Sequence, residues 1–138
     1  MILDALEKRT APEALVAFSK TQIHDVLMNV KGVEFIMICS TDGFELSSAF
    51  RKNNYNSSKL AAVGSSILAM VSAFLGEIQL TGCQSITLDA ENGKAVLTSV
   101  PAPKHPMVIV TLVARDVLLG QLLYALKDAS NAIIEQDV

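Results

Sequence analysis

At 138 residues the chain is long enough to bury a core of its own and short enough to form one domain. Hydrophobic residues make up 51% of it and its mean hydropathy is positive, so association is the expected destination for apolar surface that a monomer would leave in water. A net charge of −3, with eleven basic residues scattered along the chain, excludes the basic footprint of a nucleic-acid binder.

The first predicted helix begins near Thr10, a capping residue followed by Pro12 and Glu13. Leu15, Phe18, Ile23, Val26, Leu27 and Val30 form its apolar stripe, His24 lies off it, and Gly32 ends it. Val33 to Cys39 reads as a strand apolar on both faces, which requires cover on both sides. Turn residues Ser40 to Gly43 lead into a return strand, Phe44 to Phe50, with Glu45 and Ser47 outward. The polar segment from Arg51 ends in Ser57 and Ser58, expected to cap the central helix.

That helix, Lys59 to Glu77, has 17 uncharged residues between its two charged ends. At about 100° per residue, Leu60, Val63, Ile67, Met70, Val71, Phe74, Leu75 and Ile78 fall on one arc. Ala61, Ala62, Ser65, Ser66, Ala69, Ser72, Ala73 and Gly76 fall on the other. A helix that only covers a core shows water a charged face, and this one has none. The bulky arc is expected to face the protein's own core and the smooth arc a second copy or a partner. A bilayer span is possible in length, but Ser65, Ser66 and Ser72 and the short polar flanks argue against it. Burial inside the same domain is the other competing account.

Beyond Thr81 and Gly82 the period returns to two. Cys83 to Ala90 is expected as a strand, Asn92-Gly93 as a type I′ turn, and Lys94 to Val100 as its return. Pro101, Pro103 and Pro106 bracket a stiff loop before Met107 to Ala114, a second strand apolar on both faces. A last helix is expected from about Asp116, with Leu119, Leu122, Leu123, Leu126, Ala129 and Ile133 as its stripe. The two doubly apolar strands should be neighbours, which gives an α+β fold with a five-stranded antiparallel sheet in the order 2-1-5-4-3. The third strand, carrying Ser85, Ile86, Thr87 and Asp89, is then an open edge and a pairing site. Cys39 and Cys83, 44 positions apart, are expected as inert thiols in a reducing cytoplasm, since Asp4, Glu7, Lys8 and Arg9 interrupt any secretory leader.

Gly32-Val33-Glu34-Phe35, the turn Ser40-Thr41-Asp42-Gly43-Phe44, the Ala- and Ser-rich central helix and Gly93-Lys94 resemble the roadblock family, over about Thr10 to Ile134. This family includes the dynein light chain roadblock and the bacterial MglB-type regulators of Ras-like GTPases. The resemblance implies a profilin- and longin-like fold with helices on both faces of the sheet. It also implies a homodimer in which third strands pair into a ten-stranded sheet and central helices lie side by side. In similar bacterial members those helices form a platform for a small Ras-like GTPase. Other members only hold motor or signalling complexes together.

No catalytic constellation is found. His24 and His105 read as exposed surface residues, and with Cys39 and Cys83 they lack the short ligand spacing of a zinc site, so no metal or cofactor is expected. Gly43 and Gly93 are isolated turn glycines and cradle no phosphate. If the chain stimulates a GTPase, Arg9, Arg51 or Arg115 could supply an arginine, and Arg51 is the one expected near the platform. The sequence therefore reads as a cytoplasmic homodimer that binds and regulates a Ras-like GTPase without chemistry of its own. A pure scaffold and a small-ligand sensor are the alternatives.

Overall fold

The computed structural model describes residues 11–138; the expected cap Thr10 and the candidate Arg9 lie outside them. In chain order come α1 (Glu13–Asn29), β1 (Val33–Ser40), β2 (Glu45–Phe50), α2 (Ser57–Glu77), β3 (Ser85–Ala90), β4 (Gly93–Val100), β5 (Met107–Val113) and α3 (Leu119–Gln136). The five strands form one antiparallel sheet in the order β2-β1-β5-β4-β3. Strands β1 and β5, apolar on both faces, lie side by side in the interior of the sheet, where helices cover both faces.

Helices α1 and α3 cover one face. Ile36 and Ile38 of β1, Val96 and Val100 of β4 and Ile109 of β5 meet Ile23, Val26 and Leu27 of α1 and Leu122, Leu126 and Ile133 of α3. Ser19, also buried there, donates its hydroxyl to the Leu15 carbonyl at 2.8 Å and so brings no unpaired group into the core. Helix α2 covers the other face, over Phe35, Met37, Cys39, Leu97, Val108 and Val110. Phe35 stacks on Phe50 at 6.3 Å and meets Tyr55 edge-on at 5.3 Å, which ties β2 and the segment before α2 to that core.

Several local expectations are corrected. Pro12 occupies the N-cap of α1 and offers no side-chain bond. Asn56, not Ser57 or Ser58, caps α2, its side chain accepting from the Lys59 amide at 3.1 Å; Ser57 lies inside the helix and donates to Glu45 at 2.8 Å. Helix α3 starts at Leu119 rather than Asp116, with Leu118 at its N-cap. The β3–β4 loop is Glu91-Asn92, since Ala90 pairs with Gly93, and neither loop residue has positive φ, so the turn is not type I′. Gly93 is needed there for a different reason: a Cβ would come within 3.0 Å of the Val113 carbonyl oxygen. Cys83 lies before β3, not within it, next to Gly82, whose φ of +70° is not an extended-strand conformation.

Candidate interaction surface

The inner side of α2 is set by close approach. Ala61 is fully buried, and a Cβ at Gly64 would sit 3.2 Å from Val110 Cγ2. At the hairpin turn, Gly43 (φ +93°) passes so near the helix that a Cβ would meet Ser65 Oγ at 3.0 Å and Ala62 Cα at 3.2 Å. Small residues on this side let the helix lie against the sheet and its turn, with Leu60, Ile67 and Leu68 filling the flanks.

The division into a bulky inner arc and a smooth outer arc is therefore corrected. Ala61 belongs to the core and cannot touch another molecule, whereas Val63, Met70, Phe74 and Ile78 point to solvent and are 47–65% exposed. The outer side pairs that ridge with a smooth strip of exposed Ala62, Ser66, Ala69 and Ala73; Ser72 and Gly76 are also exposed, and Ser65 is half-buried. The hydroxyls of Ser65 and Ser66 donate to the Ala62 carbonyl at 3.0 and 2.9 Å, so these serines turn their polar groups back onto the helix. Between Lys59 and Glu77 what faces water carries no charge and is mostly apolar.

Beside it lies β3, the sheet's open edge. Ile86 is half-buried against the α2 side and Leu88, two residues on, is 44% exposed. Ser85, Thr87 and Asp89 alternate with them on the opposite face, all exposed, and Asp89 meets Lys94 across the hairpin at 3.1 Å. The C-terminal half of α2, Leu80 and this edge together make one apolar angle that no described residue covers. By length and composition, Ser57–Glu77 would also qualify as a membrane span. Drawing it into a bilayer would strip the cover from Phe35, Met37, Leu97 and Val110, so a flat protein contact suits the helix better.

The remaining candidates do not join this surface. Arg51 donates its guanidinium to the Leu27 carbonyl at 3.2 Å and approaches Met28, at the C-terminal turn of α1; that is the face of the sheet opposite α2, which corrects its expected place on the platform. Arg115 is exposed after β5, where its carbonyl accepts from Lys94 Nζ. His24 is exposed as expected. His105 is not a free surface residue: its Nδ1 lies 2.7 Å from the buried Asp137 carboxylate, which also accepts the Lys104 and His105 amides at 2.8 and 2.7 Å. Burial alone would raise the Asp137 pKa, but the His105 side chain, the two amides and the nearby imidazole together leave it lowered. Burial, with the Glu45 carboxylate adding to it, pushes the Cys39 thiol up to about 12, so it is inert. Among the described residues no group of three or more His, Cys, Asp or Glu could hold a metal.

Gly64 is the signal that would have found the true outer face. A glycine in mid-helix costs about 1 kcal/mol relative to alanine and usually marks a close approach, which fixes the inner side and turns Met70 and Phe74 outward.

No family model matches the chain, and no curated protein is similar to it in sequence. Solved structures are. The gliding protein MglB from Thermus thermophilus superimposes with a TM-score of 0.81 at 14% identity, over 93% of this chain and 94% of that one. Myxococcus xanthus MglB gives 0.80 at 16% identity, over 94% and 96%. A Roadblock/LC7 domain from Streptomyces avermitilis gives 0.75 at 10% identity, over 85% and 95%. At such identities the likeness speaks for architecture, and the chain has the roadblock fold.

Proposed function

We propose that the chain works as one roadblock domain in the cytoplasm, a homodimeric, non-catalytic regulator that offers the outer face of α2 to a small Ras-like GTPase. The observation that carries this reading is the uncharged outer face of α2, where Met70 and Phe74 are 65% and 63% exposed. A continuous apolar surface of that kind is a contact surface. The open β3 edge beside it supports self-pairing, and the likeness to two MglB structures supports a place in a GTPase system.

The test has two stages. Sedimentation at micromolar concentration is expected to give a dimer of about twice 14.8 kDa, burying on the order of 1,600 Å². Purified protein is then mixed with each Ras-like GTPase of the same cell, loaded with GTP analogue or GDP. Binding to one of them that depends on the nucleotide supports regulation; nucleotide-blind binding supports a scaffold, and a monomer that binds none overturns the proposal.

A further inference from the structure

Just ahead of β3, where the Gln84 carbonyl still accepts from the Ser99 amide at 3.0 Å, a groove of about 880 Å³ opens between the end of α2, residues 80–85 and α3. That is the size of a small-molecule site, roughly 300–1,000 Å³. Leu68 and Leu75 of α2, Leu80 of the loop, and Leu123 and Ile134 of α3 form apolar walls. The polar groups gather on one side: Lys127, Ser130 and Asn131 share a helical face, and Ser130 donates to the Ser99 carbonyl at 3.2 Å, which holds that face over β4.

Two features of the lining point to a ligand. Thr98 is 5% exposed and its hydroxyl has no partner among the described residues, a state that buried polar groups seldom keep; Thr111 shares that state but does not line the groove. Thr98 lines the groove, so a polar head bound there is a partner within reach of that hydroxyl. Charge is the second feature. Among the described lining residues Lys127 is the only charged one, and no carboxylate offsets it.

We propose that this groove binds an amphipathic monoanion, a medium-chain carboxylate whose apolar body lies against the leucine walls and whose head sits by Lys127, Asn131 and Thr98. This inference does not rest on the GTPase reading. It gives the chain a second site, against the last turns of the helix that carries the outer face.

Calorimetry with laurate below its micellar concentration, run beside sedimentation, tests it. Laurate is expected to bind at one site per chain and dodecyltrimethylammonium not to bind. Lys127→Gln, which keeps most of the stem and removes the charge, should weaken laurate about tenfold, the loss of one charge-assisted hydrogen bond. Thr98→Val should weaken it several-fold while leaving the unliganded melting temperature equal or higher, because it removes an unpartnered hydroxyl; a purely structural role for Thr98 would not give that split. Equal binding of the cationic detergent, or an unchanged Lys127→Gln, overturns the proposal in favour of simple apolar adsorption. So does a dimer that laurate splits into monomers, which would show the groove to be covered by a second copy. Failure to bind laurate overturns the ligand site and leaves the sedimentation result for self-association intact.

Discussion

Phe74→Ala separates a contact surface from a solvated one. Phe74 is 63% exposed, which is about 125 Å² if an aromatic side chain presents about 200 Å². Covering that area contributes about 3 kcal/mol per protomer at about 25 cal/mol per Å², and twice that across a two-fold interface. Association also orders side chains, so the measured loss will be smaller, but a rise of at least about a hundredfold in the dimer dissociation constant is expected. The isolated fold should hardly notice: surface changes stay within about 0.5 kcal/mol, and alanine is the better helix former. Sedimentation equilibrium over a range of concentrations gives the dissociation constant, and thermal denaturation at the lowest concentration gives the monomer's stability. A dissociation constant within threefold of the parent's would refute the reasoning, because Phe74 would then be exposed in every assembly the protein forms. A collapse in monomer stability would refute it too, by placing the ring in the core.

Ala69→Arg and Ala73→Arg should abolish self-association or partner binding and leave monomer unfolding unchanged, read by the same pair of assays; a charge buried unpaired in such a contact costs several kcal/mol. Gly43→Ala should lower stability by ~2 kcal/mol, roughly 5 °C in melting temperature, because a Cβ at φ +93° would also press on Ser65 and Ala62; an unchanged melting curve would mean the hairpin turn does not pack on α2. Asp137, whose pKa is lowered in the fold, stabilises it above the ordinary aspartate pKa near 3.8, and that contribution is lost as pH falls through its lower folded value. Asp137→Asn should therefore cost ~2 kcal/mol at pH 7 and much less at pH 2, checked by urea unfolding at both. Iodoacetamide on the native protein should modify Cys83 and spare Cys39 until the chain is unfolded, as mass analysis of peptides will show.

The sheet order was legible because three hairpin connections leave one pairing open and burial decides it. Val33 to Cys39 and Met107 to Ala114 carry apolar residues on both faces, and only interior positions of a helix-covered sheet can hide them. Element ends were less legible, since each is decided by one or two local hydrogen bonds. Asn56 won the α2 cap over Ser57 once Ser57 found Glu45, 12 residues away in sequence and invisible to a local reading. The same holds for His105: only the return of α3 brings Asp137 beneath the proline-rich loop.

The candidate surface was half legible, and the reason is physical. In a helix charged only near its ends, hydropathy distinguishes neither side, so size was the sole cue left in α2. Size serves two opposite purposes: small residues permit close approach to the protein's own sheet, as at Ala61 and Gly64, and equally to another molecule, as at Ala69 and Ala73. Large residues are just as ambiguous, filling the core at Ile67 and Leu68 and standing in water at Met70 and Phe74. What resolves the ambiguity is contact distance rather than composition, because a glycine whose added Cβ would lie 3.2 Å from Val110 leaves no choice of face. Once that side is fixed, the exposed ridge of Val63, Met70 and Phe74 follows from the helical period, and with it the surface on which both the dimer and any partner must compete or combine.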